Sequence, residues 1–274
     1  MKRILVFVLA AFMLIGCFTG CNEKPADDTT SKTDSDWEYI KNKGELIVGI
    51  TLFAPMNYED ESGELIGFET EFSKAVCEKL GVAVKFQEID WNSKEIELNA
   101  KNIDCIWNGM TIDDDRKANM EISVPYMQNK QVVVVKAENA DKFKNPLAFN
   151  GAIVVAESGS AGETVATKDP SFAGANFTPV AGQSNVLMEV FSGTADIGLI
   201  DYVMSIGSIG EGTDYAGLTV LEEYEFSPEE YGIAFRKGSD TVAKVNSAIS
   251  ELAADGTLNK IAEKYKLQDL LLVK

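Results

Sequence analysis

The composition of this 274-residue chain excludes several classes of protein. It carries 25 basic and 43 acidic residues, a formal net charge of −18, and no histidine. Without histidine there is no Ser-His-Asp triad, Cys-His nucleophile or HExxH zinc site. The excess of acidic residues argues against a nucleic-acid-binding protein, whose binding surface is basic. The hydrophobic fraction of 45% is enough for a folded core, and the length fits one large domain or two modest ones.

The N-terminus has the pattern of a secretory signal peptide. Lys2 and Arg3 precede a run of apolar residues from Ile4 to Ile15. That run is too short for a bilayer span, which needs about 20 residues, but it fits the apolar region of a signal peptide. We therefore predict a signal peptide over residues 1–16 and an extracellular mature protein.

The residues Leu14-Ile15-Gly16-Cys17 resemble a bacterial lipobox. The resemblance implies that Cys17 is acylated, with palmitate as a typical chain, and that the protein is anchored at the extracellular face of the cell membrane. Cys21 is an alternative attachment site, and cleavage without lipid attachment is a third possibility. Residues 22–36 are almost devoid of apolar side chains, so we predict a lipidated flexible linker over residues 17–36 and a folded body from about Trp37.

Two further cysteines, Cys77 and Cys105, lie within apolar patterns. An exported protein could oxidise them, but free buried thiols are the simpler interpretation. The sequence contains no CxxC motif, so we expect no metal or redox site.

The folded body alternates strand and helix patterns in chain order. Strands are predicted at 46–50, 82–86, 103–107, 132–135, 152–156, 197–200 and 231–235, and helices at 68–80, after 162, at 185–191, from 242 to 256 and at 257–265. Strands that alternate with helices indicate an α/β fold with mostly parallel sheets.

Seven segments carry a resemblance to a known family. They are Gly44 to Gly49 (GELIVG), Gly67 to Phe72 (GFETEF), Ile103 to Thr111 (IDCIWNGMT), Asp115-Arg116, Ser123 to Tyr126 (SVPY), Ala195 to Gly198 (ADIG) and Tyr231 to Gly238 (YGIAFRKG). In this order, and behind a lipobox, they resemble the extracellular solute-binding proteins of the polar amino-acid class, the receptors of ABC importers.

The resemblance implies a two-lobe, periplasmic-binding-protein-like fold of type II, with two crossovers acting as a hinge. Placing the crossovers near residues 128–132 and 223–229 gives lobe 1 as residues 37–130 plus 226–274, and lobe 2 as residues 131–225. The family binds a small-molecule amino acid in the cleft and presents it to ABC permease subunits, as a monomer, without catalysis and without a cofactor.

Lobe 1 supplies the first candidate binding residues. Gly109 and Thr111 follow a predicted buried strand, and the carboxyl edges of such strands are where open α/β sheets bind ligands. Arg116 offers a planar fork of donors that matches a carboxylate. The family places Thr111 and Arg116 on the ligand α-carboxylate, whereas a surface ion pair of Arg116 with Asp113, Asp114 or Asp115 is the alternative.

Lobe 2 supplies the partners of those groups. Small residues around Ser160 and Ala161 precede a helix, whose N-terminus favours an anion, and the family uses these positions for the carboxylate. Asp201 ends a predicted strand, where its carboxylate would accept the α-ammonium. The alternatives are an ordinary tight turn at 158–162 and an N-cap role for Asp201.

The resemblance implies that aromatic walls at Phe53 and Trp91 contact the ligand side chain, and aromatic faces suit a flat or cationic group. Core packing is the alternative for both residues. The sequence departs from the glutamine-receptor pattern at Thr51, Glu157 and Ile200. Glutamine is therefore doubtful, and Glu157 favours a ligand with a positive or amine-bearing end, such as arginine, lysine or cystine. A solvated glutamate at the domain edge is the alternative for Glu157.

Two other functions fit the same fold. A cyclohexadienyl-dehydratase-like enzyme would need an acid or base in the cleft, and Glu157 is a candidate for it. A sensory ligand-binding protein would need only the binding cleft and a signalling partner.

Overall fold

The computed structural model describes residues 35–224, 226 and 228–273. The predicted signal peptide, Cys17, Cys21 and nearly all of the predicted linker lie outside these residues, as do residues 225 and 227 of the second predicted crossover. Within the described part of the chain, no helix is long and apolar enough to cross a membrane.

Ten helices are described. They are α1 Asp36–Lys43, α2 Phe68–Leu80, α3 Lys94–Asn99, α4 Asp114–Asn119, α5 Ala140–Phe143, α6 Ala161–Lys168, α7 Gln183–Ser192, α8 Tyr202–Ser208, α9 Thr241–Ala254 and α10 Thr257–Lys264. Short 3-10 helices cover Trp91–Ser93, Ala137–Asn139, Pro146–Phe149 and Pro170–Phe172.

Fourteen strands are described. They are β1 Glu45–Ile50, β2 Tyr58–Glu59, β3 Leu65–Ile66, β4 Ala83–Glu88, β5 Cys105–Ile106, β6 Met120–Ile122, β7 Met127–Asn129, β8 Gln131–Lys136, β9 Ile153–Glu157, β10 Asn176–Val180, β11 Ile197–Asp201, β12 Leu218–Leu221, β13 Glu229–Tyr231 and β14 Ala234–Arg236.

Two five-stranded sheets divide these strands into two lobes. Lobe 1 has the order β4-β1-β5-β14-β6 and lobe 2 the order β10-β9-β11-β8-β12. In each sheet the first three strands are parallel and the last two are antiparallel to their neighbours. The sheets are therefore mixed rather than mostly parallel. The antiparallel strands β8 and β14 are the first that the chain forms after each crossover.

The two crossovers pair with each other in a two-stranded ribbon. Strand β7 carries the chain from lobe 1 to lobe 2, β13 carries it back, and the two pair antiparallel with Asn129 opposite Glu229. The strand expected at 231–235 divides here: β13 ends at Tyr231 and β14 begins at Ala234. Gly232 allows this close passage, because a Cβ at that position would lie 2.6 Å from the Ile122 side chain.

Aromatic side chains fill the core of each lobe. In lobe 1, Phe72 of α2 meets Trp107 edge-on, with ring centroids 4.9 Å apart. In lobe 2, Phe149 lies 4.9 Å from both Phe172 and Tyr224, and the Tyr224 hydroxyl donates to the Phe143 carbonyl. One buried apolar cluster contains residues of both lobes, including Phe53 of lobe 1 and Met204 of lobe 2, so apolar packing as well as the ribbon connects the lobes.

A buried ionic cluster fixes the N-terminal helix to lobe 1. The Arg236 guanidinium lies 2.9 Å from Asp36 and 3.3 Å from Asp104, and it donates to the carbonyls of Leu98 and Ile103. Asp104 is fully buried and also pairs with Lys43. Because α1 begins at Asp36, the final residue of the predicted linker belongs to this helix.

We expect Arg236→Met to lower the free energy of unfolding by about 3–5 kcal/mol, because it leaves Asp104 buried with only Lys43 as a counter-charge. Urea unfolding followed by circular dichroism measures the loss. Asp141→Ala is the control, since it removes an acidic residue whose ion pair with Lys144 is exposed. Equal stability of the two variants would contradict the importance of the cluster.

Candidate functional site

A narrow cavity lies between the two lobes. Its walls come from strand ends and the segments after them: Trp91, Asn108, Gly109, Thr111 and Arg116 of lobe 1, and Glu157, Ser160, Ala161, Gln183 and Asp201 of lobe 2. Eight of the nine residues predicted to bind ligand are in this set. The ninth, Phe53, is not: its ring is buried behind the wall, against the backbone of Gly109.

Gly109 shapes the lobe 1 wall. Its φ is +56°, a conformation in which only glycine is free of strain, and a Cβ there would lie 2.8 Å from the Phe53 ring. Its N–H donates to the buried Glu69 carboxylate at 2.8 Å. Phe53 therefore packs against the cavity wall, as the alternative for it expects, and its contact with a ligand side chain stays a prediction.

Arg116 projects into the cavity from the short helix α4. Its Nη1 donates to the Thr111 carbonyl at 2.6 Å, and its Nη2 lies 3.4 Å from the Gly159 carbonyl of lobe 2. Its Nε also lies 3.4 Å from the Asp113 carboxylate. The ion pair with Asp113 is present, and the buried guanidinium also lines the cavity, so the two interpretations of Arg116 are compatible.

The lobe 2 wall opposite Arg116 is the start of helix α6. The Ser160 hydroxyl accepts the Glu163 N–H at 3.1 Å, and the Glu163 carboxylate accepts the Gly159 N–H at 2.6 Å. Ser160 therefore acts as the N-cap, and the backbone of Ser160 and Ala161 forms the wall. The positive end of the α6 dipole lies at the same end of the cavity as Arg116.

Asp201 lies at the end of β11 and is buried. Its carboxylate accepts hydrogen bonds from the side-chain amides of Asn129, Gln131 and Gln183, and its N–H donates to Gln183 at 2.9 Å. Asp201 holds the N-cap position of α8, but its side chain does not cap that helix. Burial raises the pKa of Asp201, and the three amides oppose that shift by favouring the ionised form.

Glu157, at the end of β9, is 3% exposed, which rules out the solvated-edge alternative. Its Oε1 has no hydrogen-bond partner among the described residues. Burial, followed by the negative charge of Asp201, raises the pKa of Glu157 to about 8. The cavity therefore contains a carboxyl oxygen that can still accept a hydrogen bond from a donor.

Lys94 is a residue near the cavity that the sequence analysis missed. Its Nζ lies 4.8 Å from the centroid of the Trp91 ring and donates to the carbonyls of Trp91 and of Gly159 across the cleft. Burial and then the charge of Arg116 lower its pKa to about 8. A helical lysine next to Trp91 gives no local signal for this role, since its partner is 65 positions away.

The lobes touch at a second place beside the cavity. The Ser184 hydroxyl of α7 donates to the Leu52 carbonyl of lobe 1 at 3.0 Å. With the Lys94 contact, this closes the two lobes over the cavity.

Among the described residues, no group of three or more metal-ligating side chains is present. Cys77 and Cys105 are free and buried, and burial raises the pKa of both thiols.

Comparisons with known proteins support the sequence resemblance. Residues 46–268 match the family described as bacterial extracellular solute-binding proteins, family 3. The L-cystine-binding protein TcyA of Bacillus subtilis (strain 168) is 30% identical over 271 residues, which cover 97% of each chain.

Two solved structures extend the comparison. An ancestral arginine-binding protein bound to arginine is 34% identical, with a TM-score of 0.74 over 81% of this chain and 98% of that one. The ancestral amino acid-binding protein AncCDT-1, a precursor of cyclohexadienyl dehydratase, is 30% identical, with a TM-score of 0.76 over 84% and 99%.

We expect Gly109→Ala to destabilise lobe 1 by more than Gly63→Ala. Both glycines have positive φ, so alanine is strained at either position by about 1–2 kcal/mol. Only at Gly109 does the new methyl group also meet a fixed aromatic ring, since a Cβ at Gly63 meets open space. Urea unfolding of both variants gives the difference, and equal losses would show that Phe53 moves aside.

Proposed function

Because the chain belongs to the bacterial extracellular solute-binding proteins, family 3, and has their two-lobe, type II periplasmic-binding-protein-like fold, we propose that it binds a polar L-α-amino acid between its lobes. The observation that carries this proposal is the placement of Arg116 and Asp201, from different lobes, in the walls of one cavity. A zwitterion needs a cation for its carboxylate and an anion for its ammonium.

The contacts to the amino-acid backbone follow from the geometry. The ligand carboxylate lies between the Arg116 guanidinium and the N-terminus of α6, where charge-assisted hydrogen bonds and the helix dipole stabilise it. Its ammonium donates to Asp201. Asp201 is already held by three side-chain amides, so it needs little reorganisation to accept the ammonium.

The ligand side chain lies against Trp91 and near Glu157. The Oε1 of Glu157 is buried and has no partner among the described residues, so it favours an amine or guanidinium over an apolar group. A hydrogen bond from such a donor offsets the free energy lost when the oxygen is removed from water. Arginine, lysine and cystine meet this requirement. Relatives named for cystine and arginine support the same group of ligands.

The biological role we propose is delivery to an ABC importer. The signal peptide and lipobox support a lipoprotein anchored at the extracellular face of the cell membrane, with the linker spacing the folded body from the lipid. A ligand that touches both lobes binds the closed form best and shifts the population toward it. Closure then gives permease subunits a shape by which they recognise the loaded receptor.

A thermal-shift screen against the twenty amino acids, ornithine and cystine tests the binding function. One ligand or a small related group should raise the melting temperature, since binding to the folded state stabilises it. No shift with any of them, together with no heat of binding by calorimetry, would contradict the proposal.

An enzymatic role is the second candidate, because AncCDT-1 is described as a precursor of a dehydratase. A Glu157 pKa of about 8 would keep this group protonated at neutral pH, as a general acid requires. Incubation with prephenate or arogenate distinguishes the two roles: turnover that Glu157→Gln abolishes would establish the enzyme.

We expect Arg116→Ala to weaken amino-acid binding by about 30- to 4,000-fold, which corresponds to about 2–5 kcal/mol for removing the partner of a buried charge. Calorimetry with the ligand from the screen measures the change. Lys117→Ala is the matched control, because it removes an exposed cation from the same helix. An unchanged affinity of Arg116→Ala would remove this residue from the site.

We expect Cys17→Ser to stop lipid attachment and to leave precursor or released protein. Metabolic labelling with palmitate, followed by cell fractionation, measures this outcome. Cys21→Ser is the control and should remain labelled. Labelling that persists in Cys17→Ser and disappears in Cys21→Ser would transfer the attachment site to Cys21.

A further inference from the structure

The crossover strand β13 places a second carboxylate beside the ammonium site. Glu229 Oε2 accepts the hydroxyl of Thr111 at 3.0 Å and the side-chain amides of Asn129 and Gln131, each at 3.1 Å. These three donors come from lobe 1, from β7 and from the first residue of β8. Glu229 therefore lies where both lobes and both crossovers meet.

Glu229 and Asp201 share their hydrogen-bond donors. The Asn129 amide nitrogen donates to Asp201 Oδ1 at 2.8 Å as well as to Glu229, and the Gln131 amide nitrogen also contacts both carboxylates. Two carboxylate oxygens that contact the same two nitrogens lie close together. Like charges at such proximity in a partly buried site favour a state in which the pair retains one proton.

The charges around the pair do not neutralise it. On the cavity side the cations are Arg116 and Lys94, and neither forms an ion pair with Asp201 or Glu229 among the described residues. Glu157 and the buried Glu69 are further carboxyl groups, and burial raises their pKa values to about 8 and about 7. The unpartnered Oε1 of Glu157 independently indicates that neither cation forms a hydrogen bond with that oxygen. Burial raises the pKa of the nearby Tyr231 hydroxyl well above its usual value, so this group supplies no charge.

On its other side, Glu229 lines a wider groove that adjoins the cavity at Thr111 and Ala161. The charged side chains of that groove are mixed and mostly exposed: Lys117, Lys168, Asp113, Asp169 and Glu230. The groove gives a proton leaving Glu229 a path to water.

We propose that Glu229 is a positioning residue of the ammonium site. Glu229 shares one proton with Asp201 until the ligand ammonium binds and displaces that proton. The inference rests on the proposed function. The proton passes from a carboxyl oxygen to solvent, and no other bond is made or broken. Ionised Glu229 then holds Thr111, Asn129 and Gln131 in the arrangement that orients Asp201.

The direction of the pH dependence follows from linkage. Burial and then the charge of Asp201 raise the pKa of Glu229 to about 7, and a nearby ammonium lowers it. Binding therefore releases a proton, so affinity is highest above pH 7 and falls as the pH drops below it. One released proton corresponds to a Kd that rises about tenfold between about pH 8 and about pH 6.

Calorimetry with whichever of L-arginine, L-lysine or L-cystine gives the largest thermal shift tests this proposal. At pH 7, binding should release about half a proton per ligand, since a group of pKa about 7 is half protonated there. The heats of binding in phosphate and in Tris should then differ by about half of the difference between the ionisation enthalpies of the two buffers. Glu229→Gln should lose this difference and most of the tenfold change in Kd, while Glu229→Asp should retain both.

Two controls separate Glu229 from its neighbours. Glu230→Gln removes an exposed carboxylate from the adjacent position and should keep the full pH response. Glu157→Gln removes the other cavity carboxyl group with a raised pKa, so the pH response that remains in this variant is the part that belongs to the Asp201–Glu229 pair.

Binding with equal Kd at both pH values and no proton release overturns the role of Glu229 and leaves the proposed function standing. A full pH response in folded Glu229→Gln overturns it as well. The absence of binding by the wild type at every pH overturns both.

Discussion

The pairing of β7 with β13 is the constraint on which the binding site depends. It brings Asn129 opposite Glu229, at the only two passages between the lobes in the described chain. From this ribbon the amides of Asn129 and Gln131 reach Asp201, and Glu229 reaches Thr111. A rotation at the crossovers therefore acts directly on residues of the ligand cavity, without any intermediate element.

Charge explains why this site is built from amides as well as ions. Asp201 is buried, and burial raises its pKa by disfavouring the charged form. Three amide donors from Asn129, Gln131 and Gln183 offset part of that cost without supplying a positive charge. A cation in place of one of these amides would stabilise Asp201 more strongly, but it would also repel the ligand ammonium. Neutral donors keep the carboxylate available for the ligand.

Site residues could be predicted from the sequence where a polar or glycine residue comes directly after a buried strand. Gly109 and Asp201 come at the ends of buried apolar runs, and Arg116 follows Thr111 at a short distance, so local spacing was enough to find them. Asn129, Gln131, Gln183 and Glu229 have no such signal, because their partners lie 18 to 118 positions away. The expected strand at 231–235 was one run of apolar residues, and only the crossing at Gly232 divides it. The packing of the Phe53 ring against Gly109 had no sequence signal for the same reason: side-chain direction there depends on a tertiary contact.

Closure of the lobes has an electrostatic cost that determines how the site responds to its ligand. It removes Lys94 and Glu157 from water, as the shifted pKa values of both groups indicate. The hydrogen bond of Lys94 to Gly159 and that of Ser184 to Leu52 offset only part of this cost, since each exchanges a contact with water for one with protein. A zwitterion between Arg116 and Asp201 adds two charge-assisted contacts that exist only when both lobes are present around it. In the proposed function, the ligand therefore supplies the free energy that favours the closed form, which is the condition under which the shape of the protein reports occupancy.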